Sequence, residues 1–169
     1  PGSGKTTLLR LILGMHRPTA GGVFLDGHAT SQWEREDLAR HVGYLPQDPT
    51  LGEGTIADSI ARLSPSPDPA EVLRAARLCE AERMIVSQPL GYATLVGGGT
   101  DSRLSMGQRQ RIALARAVYG RPRLILLDEP TAWLDEEGEE AVERMLQRLR
   151  DLGCSVVLSS HRTGIISSA

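Results

Sequence analysis

Four aliphatic residues in a row, Leu124-Ile125-Leu126-Leu127, run straight into Asp128-Glu129-Pro130. A run this short and this uniformly apolar reads as a buried strand. Its end is the constraint. A core strand has no use for two adjacent carboxylates, whereas a site that holds a metal ion and activates water does. A surface turn after a strand can also carry Asp-Glu-Pro, so the pair alone decides nothing. The rest of the chain has to decide it.

The 169 residues fit one compact domain, and 40% hydrophobic with 24% charged residues is ordinary for a soluble globular chain. A net charge of −2 gives no sign of a nucleic-acid partner or a polybasic membrane anchor. No apolar run approaches the roughly 20 residues needed to span a bilayer. Cys79 and Cys154 lie far apart and outside any CxxC pair, so both are expected as buried thiols in a reducing compartment. The sequence opens on Pro1-Gly2-Ser3-Gly4-Lys5, inside a motif and without an initiator Met or a signal peptide, and stops abruptly at Ser167-Ser168-Ala169. A piece of a longer chain is expected.

Pro1 to Thr7 reads as a phosphate-binding loop lacking its first glycine. Glycines let consecutive N–H groups turn toward phosphate oxygens. Lys5 adds a positive charge, and Thr6 a hydroxyl for the Mg²⁺ that accompanies a nucleotide. Leu8, Leu9, Leu11, Ile12 and Leu13 then form an apolar helix whose N-terminus faces the same anion. A glycine-rich turn capping a helix is the plainer alternative.

Val23 and Leu25 alternate with polar neighbours up to Asp26-Gly27, a hairpin strand and turn. Ser31 to Arg40 reads as a short polar helix around Trp33 and Leu38, and Val42 to Pro46 as a strand delivering Gln47 to a loop. From Asp48 to Arg103, Gly and Pro become frequent and helix signals replace strand signals. Helices are expected over Thr55 to Arg62, from Asp68-Pro69 through Val72, Leu73, Ala76 and Cys79, and over Ala81 to Val86. Gly97-Gly98-Gly99 leads to Leu104-Ser105-Met106-Gly107-Gln108-Arg109-Gln110-Arg111 and a buried helix over Ile112 to Tyr119. Small residues and a hydroxyl at its start suit a second anion site, or simply a serine N-cap. Past Thr131 to Asp135 comes a helix with Val142, Met145, Leu146 and Leu149 on one face. A last strand, Ser155 to Ser160, is closed by His161, a position more often structural than catalytic.

In this order the features resemble the nucleotide-binding domain of ATP-binding cassette (ABC) transporters, over nearly the whole chain. Gly4-Lys5-Thr6 resembles its Walker A, Gln47 its Q-loop and Leu104-Ser105-Met106-Gly107-Gln108 its signature. Leu124 to Glu129 resembles its Walker B, Thr131 to Asp135 its D-loop and His161 its switch histidine. Ser31 to Leu38, Gly43 to Asp48 and Gly54 to Ile60 have an exporter-like texture, most similar to the fused permease/ATPase of bacterial type I secretion.

The resemblance implies an α/β P-loop NTPase fold, with a RecA-like and mainly parallel sheet core, a helical subdomain insert and part of an antiparallel β subdomain. Residues 1–47 and 121–169 would form the catalytic core, and 48–120 the mainly helical signature subdomain. It implies ATP and Mg²⁺ as ligands. Gly2, Ser3, Gly4, Lys5, Thr6 and Thr7 would hold the phosphates, and Thr6, Gln47 and Asp128 would serve the metal, Asp128 through water. Glu129 would be the general base, His161 would sense the γ-phosphate, and Gln47 would couple the site to a membrane domain. Ser105, Gly107 and Gln108 would close the site of a second copy in a head-to-tail homodimer. Further implied partners are the transmembrane domain of the same transporter, a periplasmic adaptor and an outer-membrane channel, at the cytoplasmic face of the inner membrane.

Three positions depart from the family pattern. Met106 replaces the usual signature glycine, Trp133 is bulky for a D-loop, and Gly98 sits where many exporters carry a glutamate. Other readings are an exporter of lipid, peptide or drug, an importer ATPase, a degenerate regulatory cassette, and a soluble cassette ATPase of DNA repair, chromosome structure or translation. The last carries coiled-coil insertions or paired cassettes, and neither is visible. Intact Lys5, Asp128, Glu129 and His161 argue against the degenerate one.

Overall fold

The computed structural model describes residues 4–97 and 104–161. Gly2, Ser3 and Gly98, all singled out above, lie outside the described residues. The strand ending in the two acids is β6 (Leu124–Asp128), and it is the middle of a three-stranded parallel sheet. On one side it pairs with β3 (Val42–Leu45), Leu45 opposite Leu127; on the other with β7 (Ser155–Ser159), Asp128 opposite Ser159. A parallel strand covered on both faces needs apolar side chains at every position, which is why the run does not alternate. Ile125, Leu126 and Leu127 are all fully buried.

Successive side chains of β6 point to opposite faces. Leu126 packs with Leu9, Leu38 and Val42, from the face covered by α1 (Lys5–Ile12) and α2 (Arg35–His41). Ile125 and Leu127 join the larger core beneath α6 (Met106–Val118) and α7 (Glu136–Asp151). That core runs without a break into the helical block of α3 (Ile56–Ile60), α4 (Pro69–Leu78) and α5 (Glu82–Val86), through Ile56, Ile60, Val72, Ala75 and Ile85. Two small antiparallel pairs complete the structure: β1 (Phe24–Leu25) with β2 (His28–Ala29), and β4 (Gly54–Thr55) with β5 (Leu95–Val96). Asp26 and Gly27 between β1 and β2 are both left-handed, as a tight hairpin turn requires.

Local chemistry sets the helix ends. Thr55 and Asp58 form a reciprocal capping box at α3, and Asp68 caps α4 just ahead of Pro69. Asp135 caps α7 by accepting from the Gly138 N–H, and this bond holds its carboxyl below the usual carboxylate range. Glu136, Glu137 and Glu139 fill the first turn of α7 and Arg148 and Arg150 the last, in the sense that favours the helix dipole.

Arg62 locks the block to the sheet. Its guanidinium donates to the carbonyls of Arg116 and Ala117 at 3.1 Å each, and also to Ala39. These are orphan carbonyls at the C-terminal ends of α6 and α2, so one side chain caps two helices. Burial, with Arg116 close by, pulls Arg62 below the ordinary guanidinium range. A second close approach lies at Gly43 of β3, where a Cβ would sit 1.9 Å from the Ala117 carbonyl oxygen.

The structure corrects three local expectations. The helix foreseen over Ser31 to Arg40 is two pieces, a 3-10 turn at Thr30–Gln32 and then α2, because Trp33 and Glu34 are extended. Trp33 instead packs edge-on against His41, ring centroids 5.9 Å apart. The apolar helix expected after the loop is α1, in which Leu9 is buried, Leu11 and Ile12 are half-buried and Leu8 is exposed. Cys79 is buried, and burial pushes its thiol far up; Cys154 is only half-buried beside the sheet, and both are free. Finally, the β4–β5 pairing joins residues some forty positions apart and was not foreseen. Among the described residues no helix is long and apolar enough to cross a membrane.

Candidate functional site at the strand ends

α1 begins on Gly4, which is left-handed (φ 80°) with no atom within 4 Å of where a Cβ would stand. The helix has no capping side chain and no acid in its first turn. Among the described residues no side chain caps its first N–H groups, an arrangement that suits an anion.

Thr6, in that first turn, donates its hydroxyl to Asp128 Oδ2 at 2.6 Å across 122 residues of sequence. Asp128 is 1% exposed, and a carboxylate so dry needs donors. The Ser159 hydroxyl supplies the second one, to Oδ1. A hydroxyl beside a carboxylate is an oxygen donor set that suits Mg²⁺, which typically binds through one or two carboxylates plus substrate phosphates. Among the described residues no group of three or more His, Cys, Asp and Glu could hold a metal alone. Thr6 and Asp128 thus fit a metal that arrives with a phosphate ligand rather than a resident one.

Glu129 is held differently. Its backbone is left-handed (φ 51°), its N–H donates to the Ser159 carbonyl at 3.0 Å, and its own carbonyl accepts from Ala132 N–H at 3.0 Å. Its side chain is 17% exposed, and Oε1 is sheltered from solvent without a hydrogen bond. His161 Nε2 stands 3.2 Å from that oxygen and 3.3 Å from Lys5 Nζ. Lysine only donates, so a bond to Lys5 requires the lone pair of Nε2, whereas a bond to Glu129 requires a proton there. One nitrogen cannot do both at once. His161 therefore stands between a cation and an anion and can turn to either.

The sheet thus brings Lys5, Thr6, Asp128, Glu129 and His161 together at the C-terminal ends of its strands. Thr7 is exposed in the first turn of α1. Gln47 lies in an exposed bend just past β3, and no hydrogen bond ties it to the cluster. Ser105, Gly107 and Gln108 stand apart at the start of α6. There Gln108 N–H donates to Ser105 Oγ at 3.1 Å, and Ser105 N–H donates to Gln108 Oε1 at 2.9 Å. The serine-cap alternative is realised. Met106 turns back along its own helix, its sulfur 2.8 Å from Arg109 Nη2. Trp133 is exposed and left-handed, and its carbonyl oxygen would meet a Cβ on Gly107 at 2.8 Å.

Two polar side chains of this region were missed in the sequence. Ser159 carries no signal beyond being a polar residue at a strand end. Gln110 carries one: a glutamine on the apolar face of α6, fully buried in the structure.

The family model described as "ABC transporter" matches residues 1–132. Three similar proteins illustrate the relatives. The type I secretion system ATP-binding protein PrsD of Rhizobium meliloti is 44% identical over 98% of this chain and 28% of its own length. The cyclolysin secretion/processing ATP-binding protein CyaB of Bordetella pertussis is 40% identical over 99% of this chain and 23% of its own. ATP-binding cassette sub-family B member 10, mitochondrial, of Mus musculus is also 40% identical, over 99% of this chain and 24% of its own. The chain spans about a quarter of the length of these curated relatives. With the parallel sheet and the strand-end cluster, the match over more than three quarters of the residues identifies this chain as a P-loop NTPase domain of the ABC transporter family.

Proposed function

We propose that this chain binds and hydrolyses MgATP to power an ABC exporter of the type I protein secretion kind. The observation that carries the proposal is the 2.6 Å bond from Thr6 to Asp128, with Lys5, His161 and Glu129 beside it. Lys5 and the loop amides from Gly2 to Thr7 bind the phosphates. Thr6 and Asp128 would hold Mg²⁺, joined by Gln47 from its loop. When bound, the metal neutralises charge on the β- and γ-phosphates.

Glu129 takes a proton from the attacking water as that oxygen bonds to the γ-phosphorus and the bond to the bridging oxygen breaks, releasing ADP. His161 leaves Lys5 for the γ-phosphate. Ser105, Gly107 and Gln108 of each protomer close the nucleotide site of the other, and Gln47 carries the closure to the membrane domain. The assembly sits at the cytoplasmic face of the inner membrane, with a periplasmic adaptor and an outer-membrane channel. The similarity to PrsD and CyaB, both ATP-binding proteins of secretion, supports the secretion reading.

In the full-length protein, chelation of Mg²⁺ is expected to abolish ATP turnover. Lys5→Met is expected to weaken MgATP binding roughly 10- to 100-fold, the worth of one charged hydrogen bond. Titration with a fluorescent ATP analogue, alongside phosphate release, checks both. Turnover that survives chelation, or unaltered affinity in the variant, contradicts the assignment.

A further inference from the structure

Gln110 is the only polar side chain on the buried face of α6, among Ile112, Ala113, Leu114 and Ala117, and it is 0% exposed. Its amide nitrogen donates to two successive carbonyls, Glu129 at 3.3 Å and Pro130 at 3.1 Å. Its oxygen, Oε1, has no partner. Turning the amide over would set that oxygen against both carbonyls, so the orientation is fixed by what the nitrogen reaches. An unpaired buried acceptor is costly, and an apolar residue of the same shape would avoid it.

The peptide that Gln110 holds is that of Glu129, whose left-handed backbone is an uncommon one for a residue with a side chain. Such a conformation persists only where its surroundings over-determine it. Here they come from three directions: β7 through the Ser159 carbonyl, the turn itself through Ala132 N–H, and α6 through Gln110. The same helix packs onto the rest of that loop. Gly107 lies against the Trp133 carbonyl, and Arg111 Nη2 meets Asp135 Oδ1 at 3.2 Å.

We propose that Gln110 is a positioning residue for hydrolysis, which sets the Glu129 carboxylate and ties it to the state of the opposite nucleotide site. This rests on the functional reading above, in which the start of α6 meets the partner's nucleotide. Ser105 and Gln110 lie on one rigid helix, so a shift of its N-terminus on closure is passed to the Glu129–Pro130 turn through the carboxamide. Each site then readies its base only when the other has closed. Removing the carboxamide leaves Glu129 in place chemically and loose geometrically.

The test uses Gln110→Met, close in shape and without a donor, in the full-length protein. Displacement of a reacting group by about 1 Å costs on the order of 100-fold, so kcat is expected to fall by about 30- to 100-fold. The KM for ATP and nucleotide-driven dimerisation are expected to stay within about threefold of wild type, since Gln110 touches no phosphate-binding group. A double-mutant cycle with Glu129→Gln separates positioning from stability. A residue acting through Glu129 has no further effect once that carboxylate is gone, whereas a structural defect lowers the residual rate again. Gln110→Leu repeats the test if the Met variant is poorly folded. Wild-type kcat in these variants, or losses additive with Glu129→Gln, overturn the inference. A wild-type protein without MgATP turnover overturns the functional reading and this inference together; normal wild-type turnover with an unaffected variant overturns this inference alone.

Discussion

Replacing Glu129 with glutamine is expected to lower MgATP turnover in the full-length protein by roughly 10²- to 10⁴-fold, the usual worth of a general base. The amide has nearly the carboxylate's shape and cannot take a proton from water. The Glu129 main chain has no reason to move, because its bonds with Ser159, Gln110 and Ala132 all engage the backbone, and only the His161 contact reaches the side chain. The phosphate-binding groups are likewise untouched, since Thr6 bonds to Asp128 and not to Glu129. The variant should therefore bind MgATP at wild-type affinity and accumulate as a nucleotide-bound dimer. Phosphate release and gel filtration with labelled ATP read the two effects separately. Unchanged turnover would remove Glu129 from its role.

The largest effect on stability is expected at Gly43, far from any charge. Gly43→Ala would place a methyl carbon 1.9 Å from the Ala117 carbonyl oxygen and 3.2 Å from Pro122 Cγ. The obstacle is main chain at the end of α6, fixed in turn by Arg62, which donates to that same carbonyl. Neither β3 nor α6 can yield without opening the core between them. A loss above about 4 kcal/mol, or failure to fold, is expected, in the range reserved for severe overpacking. Gly153 makes the control. It is left-handed (φ 72°) after α7 with nothing within 4 Å of a Cβ, so Gly153→Ala should cost only about 1 kcal/mol of backbone strain. Urea denaturation of the two variants measures the contrast, and equal losses would contradict it.

How much of this could be read from residues alone follows from how local each signal is. Walker-type chemistry is local: Lys5 and Thr6 stand at a helix start, Asp128 and Glu129 at a strand end, and their meeting is dictated by a parallel sheet whose strand ends share one edge. Those residues were legible for that reason, and the structure brings them together with His161. Burial of Ile125, Leu126 and Leu127 was legible too, since only a covered parallel strand tolerates such a run. What escaped was tertiary. Ser159 matters because register places it opposite Asp128. Arg62 matters because two helix ends converge on it, and the left-handed backbone of Glu129 has no signature in Asp-Glu-Pro. Extended backbone at Trp33 and Glu34 divides the helix expected from Ser31 to Arg40, and nothing local in the sequence marks that break.

Within one chain the start of α6 does not join the Lys5 cluster, so the functional reading requires that a second copy supply Ser105 to each nucleotide. Mixed dimers test this most directly, built on Glu129→Gln so that bound ATP is retained and can be counted. With Lys5→Met and Ser105→Arg on the same protomer, each composite site contains one defect, and no ATP should be retained. With the two substitutions on opposite protomers, both defects fall in one site, and one ATP per dimer should remain. The reverse result, one ATP retained in the first arrangement and none in the second, would show that each site is built within a single chain and would contradict the account.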